Sequence, residues 1–205
     1  MAFKNYIFDI DGTIMNSYYA GTKSIHDALL NVTGVDYSDE IIHKSYAMVQ
    51  TEYLASLGID PKSEIGKSVS KEADRIYELL SDKVTLFDGM QETIETLKKE
   101  GKFLGIVTSR VMQEFEIPMP KIFEYFEIII TADLVENPKP APDPLNKIVK
   151  DFDLKKEETI YIGDSFQDSE CAKRAGIKFA FADFISDEEV PHDYYLSNPK
   201  DILKI

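Results

Sequence analysis

The chain has 205 residues, of which 43% are hydrophobic and 29% are charged. This composition is typical of a globular protein and excludes an intrinsically disordered one. A single cysteine, Cys171, excludes an intrachain disulfide and a zinc ribbon. With 23 basic and 37 acidic residues the net charge is −14, and an acidic surface repels nucleic-acid phosphates, so we expect no nucleic-acid partner.

Apolar segments in the chain are short. No run approaches the roughly 18 apolar residues of a membrane helix, so the sequence predicts no membrane association. The N-terminal residues reach Asp9 and Asp11 before an apolar core of signal-peptide length can form. We therefore expect a cytoplasmic protein.

Five apolar runs, each followed by small or polar residues, are typical of strands buried on both faces of a parallel sheet. They lie at residues 6–8, 103–107, 128–130, 159–162 and 179–181. Helical patterns lie between them at residues 89–100, 144–152 and 168–175. This alternation predicts an α/β fold with a doubly wound, Rossmann-like parallel sheet, to which residues 194–196 are a candidate edge strand.

The interval between the first two predicted strands does not fit this alternation. Apolar residues at three- and four-residue spacing predict helices over residues 21–32, 38–57 and 62–80. This is too much helix for one crossover, so we expect a small α-helical cap domain at 18–81, inserted into a catalytic core formed by 1–17 and 82–205. Ligands bind beyond the carboxyl ends of such strands, which predicts that the cap covers the site.

Acidic residues follow two of the predicted strands. Asp9 and Asp11 come directly after the first strand, and Asp164 and Asp168 follow the fourth. Four acids at one edge of a sheet cannot all stay ionised without a cation, and oxygen ligands suit Mg²⁺. Asp168 has an alternative use, because an acid at the start of a helix can cap it.

Candidate phosphate contacts follow the second predicted strand and a later loop. Thr108, Ser109 and Arg110 end the second strand, and a hydroxyl there, together with loop amides, can donate hydrogen bonds to phosphate oxygens. Lys139 lies among three prolines in residues 137–142, which stiffen the loop and hold the lysine forward. A simple strand end and solvated cations are the alternatives for these residues.

Four elements in this order resemble the haloacid dehalogenase superfamily in its phosphatase branch. They are Asp-x-Asp-Gly-Thr at 9–13, the strand-ending Thr108, Lys139 in Lys-Pro-x-Pro, and Gly-Asp-Ser-x-x-Asp at 163–168, and they span about residues 5 to 182. The helical insert after the first motif resembles the cap of phosphoglycolate phosphatases and β-phosphoglucomutases. The family often has Asn where this chain has Ser109, which leaves the contacts of that loop open.

The resemblance implies a Mg²⁺-dependent phosphatase whose partner is a small-molecule phosphate ester. Asp9 would attack the phosphorus atom and carry an aspartyl-phosphate intermediate. Asp11 would protonate the leaving oxygen and then activate water. Thr108 and Lys139 would hold the transferring phosphoryl group. An acid at position 11 argues against the carbon–halogen chemistry of the dehalogenating branch.

The resemblance also implies the metal ligands and the substrate contacts. Mg²⁺ would bind through Asp9, the main-chain carbonyl of Asp11 and Asp164, with Asp168 either a direct ligand or in the outer coordination sphere. The predicted substrate contacts are Thr108, Ser109, Arg110 and Lys139. Ser109 and Arg110 depart from the family pattern, and a solvent-facing side chain is the alternative for Arg110. The cap residues Tyr18, Tyr19, Lys23 and His26 are candidates to touch the leaving group, with packing or solvent exposure as the alternative.

Other functions remain open at this point. A phosphosugar mutase or phosphotransferase would form the same intermediate and pass it to a sugar hydroxyl instead of water, a choice that lies in the cap. A receiver-like signalling domain places its paired acids differently. A non-catalytic binding protein would be expected to have lost Asp9, Asp11 or Lys139, and all three are present. The substrate and the oligomeric state cannot be predicted from these patterns.

Overall fold

The computed structural model describes residues 3–46, 48–112, 120–185 and 189–205. The chain divides into two compact units. The sheet unit consists of Met1–Met15 and Leu86–Ile205, and the helical unit of Asn16–Thr85. The chain passes between them through strands β2 (Met15–Asn16) and β3 (Thr85–Leu86), which pair in a two-stranded sheet. That the helical unit acts as a cap stays a prediction.

Six of the described strands form a parallel sheet in the order β5–β4–β1–β6–β7–β8. Their bounds are β1 Asn5–Phe8, β4 Phe103–Val107, β5 Ile128–Ile130, β6 Thr159–Gly163, β7 Lys178–Ala182 and β8 Tyr194–Leu196. The five predicted strands and the edge strand are confirmed. β1 lies between β4 and β6 and is buried along its whole length, which is why its side chains after Asn5 are apolar rather than alternating.

Three helices pack on the sheet: α5 (Met90–Lys99), α6 (Asp143–Asp151) and α7 (Phe166–Ala175). Helix α7 begins two residues before its predicted start because Ser165 and Asp168 form a capping box. The Ser165 hydroxyl accepts the Asp168 N–H, and the Asp168 carboxylate accepts the Ser165 N–H. The alternative use of Asp168 as a helix cap is therefore confirmed.

The helical unit contains four described α-helices. They are α1 (Tyr18–Thr33), α2 (Asp39–His43), α3 (Gln50–Ser56) and α4 (Glu64–Leu79). Apolar side chains from all four share one core, in which Leu29, Ile42, Leu54 and Val69 are buried.

One helical prediction is wrong, because residues 38–57 form two short helices rather than one. After α2 the chain turns through 44–46, Ala47 lies outside the described residues, and Val49 is extended before α3. The Tyr46 ring packs on Tyr18 at 5.1 Å between centroids, and its hydroxyl lies 3.2 Å from Ser17 Oγ. The apolar spacing continues across the break because both helices face the same core.

No helix among the described residues combines the length and the apolar character needed to cross a lipid bilayer.

Candidate active site

Strand β1 delivers Asp9 to the carboxyl edge of the sheet. The Asp9 N–H donates to the Ile162 carbonyl at 2.8 Å, so the backbone stays paired with β6 one residue beyond the strand. The chain then turns, and the Gly12 N–H donates to the Met15 carbonyl at 2.9 Å. Gly12 has a φ of +78°, and a Cβ atom there would overlap the Asp164 carboxylate. The turn therefore requires glycine both for its backbone conformation and for the close approach of Asp164.

A buried ion cluster lies at this edge. Lys139 Nζ lies 2.7 Å from Asp168 Oδ1 and 3.0 Å from Asp9 Oδ1, and the three side chains are 3%, 0% and 10% exposed, respectively. One carboxylate oxygen each from Asp9, Asp164 and Asp168 lies within 4.8 Å of the other two. Two carboxylates thus pair with one ammonium group and a third lies beside them, so carboxylates outnumber cations in this cluster.

The pKa values in the cluster reflect this excess. Burial, reinforced by the charges of Asp168 and Asp11, raises the pKa of Asp9 to about 7, even though Lys139 opposes the shift. Burial and the neighbouring Asp9 and Asp168 carboxylates also raise the pKa of Asp164 well above its usual range. Burial alone would lower the pKa of Lys139, but Asp168 and Asp9 raise it, so the lysine stays charged.

The Asp168 and Asp9 carboxylates differ in how many hydrogen bonds their oxygens accept. Asp168 Oδ1 accepts from Lys139 and Tyr161, and Oδ2 accepts from both the N–H and the hydroxyl of Ser165. With about two lone pairs on each oxygen, its acceptor positions are filled. Asp9 Oδ1 is buried, and no donor among the described residues is aligned to hydrogen-bond to it, although Lys139 is close enough for an ion pair.

A second ion pair joins Asp11 to Arg110. Arg110 Nε and Nη2 donate to the two Asp11 carboxylate oxygens, each at 2.7 Å. The side chains are 15% and 32% exposed for Arg110 and Asp11, so the pair is partly shielded from water. Backbone contacts hold the arginine in place: its N–H donates to Thr108 Oγ1 at 3.2 Å, and its carbonyl accepts the Ala132 N–H at 2.9 Å. Such a bidentate pair restricts both side chains to one geometry.

Comparison with known proteins places this arrangement in a family. The family model described as haloacid dehalogenase-like hydrolase matches residues 6–182. The chain belongs to this family. The resemblance inferred from the four motifs is therefore confirmed.

Curated relatives in the family cover the full length of the chain. Pyrophosphatase PpaX of Halalkalibacterium halodurans is 30% identical over 100% of this chain and 97% of that protein. Pyrophosphatase PpaX of Bacillus cereus strain Q1 is 28% identical with the same coverage. A crystal structure from Lactobacillus plantarum, provisionally named a phosphoglycolate phosphatase, matches with a TM-score of 0.84 at 28% identity, covering 100% of this chain and 99% of that one.

Two of the predicted phosphate contacts, Thr108 and Ser109, differ in burial. Thr108 is buried at the end of β4, and its hydroxyl accepts the Arg110 N–H. Ser109 is exposed. The structure thus joins Asp9, Lys139 and two further aspartates in one cluster and places Asp11 with Arg110 in a second.

The cap candidates of this haloacid dehalogenase-like chain contact other residues of the helical unit. The Tyr18 hydroxyl lies 2.7 Å from His43 Nδ1. Lys23 pairs with Asp27 at 2.6 Å, and Tyr19 is exposed. The His26 imidazole lies between two acids: Nδ1 is 3.1 Å from Asp27 Oδ1, and Nε2 is 2.9 Å from Asp36 Oδ1. Contact of these residues with a leaving group stays a prediction.

One buried residue of the site was not predicted. Tyr161 lies in the middle of β6, and its hydroxyl donates to Asp168 Oδ1 at 2.7 Å. Burial, followed by the charges of Asp168 and Asp9, raises the pKa of Tyr161 well above its usual range, so the phenol keeps its proton. A tyrosine inside an otherwise aliphatic buried strand is a usable signal, because a buried hydroxyl needs a hydrogen-bond partner.

Proposed function

We propose that the protein is a Mg²⁺-dependent phosphatase that hydrolyses a small phosphorylated metabolite through an aspartyl-phosphate intermediate. The observation that carries this proposal is the Asp9 carboxylate, which is buried beside Lys139 and has an oxygen to which no donor in the described part of the chain is aligned. Membership of a hydrolase family and relatives named as a pyrophosphatase and a phosphoglycolate phosphatase support a phosphorylated substrate.

The donor set fits a hard divalent cation. Asp9 and Asp164 keep acceptor oxygens, since the only side-chain hydrogen bond shown for Asp164 among the described residues is a long one of 3.5 Å from Thr13. We therefore assign Mg²⁺ to Asp9, Asp164 and the main-chain carbonyl of Asp11, whereas the saturated Asp168 acts on Lys139. When bound, the ion supplies the positive charge that the cluster lacks and screens the nucleophile from a phosphate dianion.

In the first step an Asp9 oxygen attacks phosphorus while the bond from phosphorus to the ester oxygen breaks. Asp11 donates its proton to that leaving oxygen, and Lys139 and Thr108 offset the charge on the transferring group. Because Arg110 binds both Asp11 oxygens in this structure, proton transfer from Asp11 requires that one of these two hydrogen bonds opens when substrate binds.

In the second step water attacks the phosphorus of the aspartyl phosphate. Asp11, now ionised, accepts the proton of that water, and the bond between Asp9 and phosphorus breaks to release inorganic phosphate. The same residue thus serves as acid and then as base without moving from its turn.

The proposal is tested by phosphate release from a panel that includes pyrophosphate, phosphoglycolate and sugar phosphates, with Mg²⁺ or with chelator. We expect metal-dependent release that falls at least about a thousandfold in Asp9→Asn. The matched control Asp151→Asn removes an exposed carboxylate that pairs with Lys147 on α6 and is expected to keep full activity. Release that survives Asp9→Asn or chelation would refute the proposal, and isomer conversion of sugar phosphates without release would establish a mutase instead.

Metal binding is tested separately by thermal unfolding without substrate. A ligand at one hundred times its Kd stabilises the folded state by about 2.7 kcal/mol, which for a chain of this size raises Tm by about 5–10 °C. We expect this increase with Mg²⁺ in the wild type and in Asp151→Asn, and its loss in Asp164→Asn. An equal increase in Asp164→Asn would exclude that residue as a ligand.

A further inference from the structure

The hydroxyl of Tyr161 lies at the centre of the buried cluster, and neither proposed step uses it. The residue is fully buried on β6. Its hydroxyl oxygen lies 2.7 Å from Asp168 Oδ1, 3.2 Å from the Val107 carbonyl oxygen and 3.4 Å from Lys139 Nζ. One uncharged group therefore contacts the acid, the cation and the backbone of the strand that leads to Thr108.

The phenol has a single proton, so it can donate only one strong hydrogen bond, either to Asp168 or to the Val107 carbonyl. The short bond to the Asp168 carboxylate is charge-assisted and takes the proton more often than the longer contact to the Val107 carbonyl. The Lys139 ammonium can then donate to the phenol oxygen. Asp168 Oδ1 is thus shared between Tyr161 and Lys139.

This sharing controls where the ammonium lies. Lys139 stands between two carboxylates, at 2.7 Å from Asp168 and 3.0 Å from Asp9. Without the hydroxyl, Asp168 Oδ1 would keep Lys139 as its only donor among the described residues, and its attraction for the ammonium would be stronger. Lys139 would then move toward Asp168 and away from Asp9.

The contact with Val107 adds a second constraint. β4 and β6 are not neighbours, because β1 lies between them in the sheet. The Tyr161 hydroxyl therefore reaches past the strand that carries Asp9 to the residue that precedes Thr108. It holds β4 and β6 in a fixed relation to the nucleophile.

We propose that Tyr161 is a positioning residue, whose hydroxyl fixes Asp168 so that Lys139 stays against Asp9 during phosphoryl transfer. The proposal rests on the phosphatase function proposed above. Because Lys139 acts on charge that develops in transfer, loss of the hydroxyl lowers kcat rather than substrate affinity.

Tyr161→Phe tests this, with Tyr6→Phe as the matched control. Tyr6 is also a buried tyrosine of the sheet, but its hydroxyl donates to the Ile205 carbonyl at 3.0 Å. Loss of a hydrogen bond to a charged group corresponds to about a tenfold to hundredfold change. We expect kcat for the best substrate of the panel to fall by this factor in Tyr161→Phe with KM unchanged, and both constants to stay unchanged in Tyr6→Phe. Equal kcat in the two variants would overturn the proposal.

A double-mutant cycle separates positioning from a general loss of packing. If Tyr161 acts through Asp168, Tyr161→Phe has little further effect on kcat in an Asp168→Asn background. Additive effects would show that the hydroxyl acts by another route and would overturn the proposal. Thermal unfolding of each variant establishes that it is folded at the assay temperature.

A readout that needs no turnover distinguishes this proposal from the phosphatase itself. The ammonium group of Lys139 can be observed in ¹H–¹⁵N correlation spectra of a protein with ¹⁵N-labelled lysine, because the group is buried and hydrogen-bonded. We expect its signal to shift in Tyr161→Phe and to stay in place in Tyr6→Phe. A shifted signal in a protein that releases no phosphate would leave the positioning effect standing while the phosphatase fails, and an unshifted signal would overturn the positioning effect.

Discussion

The two units of the chain handle charge in opposite ways. Among the described residues, every buried charged side chain lies in the sheet unit, directly after β1, in the first turn of α7 or in the loop that carries Lys139. The helical unit buries an apolar core and keeps its ion pairs, such as Lys23 with Asp27, partly or fully in solvent. Burial of a charge costs several kcal/mol unless it is well paired. This free-energy cost falls in the sheet unit, where the chemistry is proposed. The helical unit is stabilised by apolar packing instead.

The largest expected difference in activity and stability is between removing the cation of the buried ion cluster and removing the cation of a surface ion pair. In Lys139→Met the Asp9 and Asp168 carboxylates lose their buried partner, so we expect phosphatase activity to fall at least about a thousandfold. The free energy of unfolding is expected to drop by about 3–5 kcal/mol. Chemical denaturation and phosphate release measure both. Lys67→Met, which removes a surface partner of Glu64 in the helical unit, is expected to change neither.

A stable Lys139→Met protein that keeps most of its activity would show that the buried charges of the sheet unit matter no more than the surface ion pairs of the helical unit. A loss of activity in Lys67→Met would instead show that the helical unit takes part in the reaction.

The Arg110–Asp11 pair predicts an intermediate effect. Arg110→Met frees the Asp11 carboxylate from its bidentate partner, and we expect kcat to fall by about tenfold to hundredfold, as for loss of a hydrogen bond to a charged group. Arg110→Lys keeps the charge but lacks the planar fork, so it is expected to restore only part of the activity. Steady-state kinetics on both variants check this, with Arg75→Met in the helical unit as the control. Full activity in Arg110→Met would show that Asp11 needs no such partner.

The smallest expected effect lies in the helical unit. Hydrogen bonds to Asp36 and then Asp27 raise the pKa of His26. Because the folded-state value lies above the unfolded one, the stabilisation is complete below the ordinary His pKa and is lost as pH rises through the raised value. For a pair near the surface it amounts to less than about 1 kcal/mol. NMR titration of the imidazole is expected to show the raised pKa, and Asp36→Asn to lower it. The same pKa in wild type and variant would refute the assignment.

Most of the sheet could be predicted from the sequence because strands buried on both faces are continuous apolar runs. The two-residue strands β2 and β3 could not, since two residues show no periodicity. The break between α2 and α3 was missed for a related reason. Spacing reports which side chains face a core, and it does not report whether the backbone between them stays helical.

The location of the candidate site was also predictable, because residues that follow parallel strands meet at one edge. Asp9 was placed there together with the later aspartates, whereas Lys139 was assigned to the site by the family resemblance. The hydrogen bonds within the site were not predictable. Whether Arg110 reaches Asp11, and whether Tyr161 reaches Asp168, depends on side-chain directions set by packing across the sheet, which a linear pattern does not contain.

The central place of β1 in the sheet has a consequence for synthesis of the protein on the ribosome. β1 is made first, but its two neighbours, β4 and β6, end at Val107 and Gly163. Until those residues emerge, both edges of an apolar strand stay unpaired and open to association with other chains. The helical unit, one continuous segment with local contacts, can fold during this interval. We therefore expect nascent chains that stop between residues 86 and 158 to need chaperone protection of β1, although they already contain the whole helical unit.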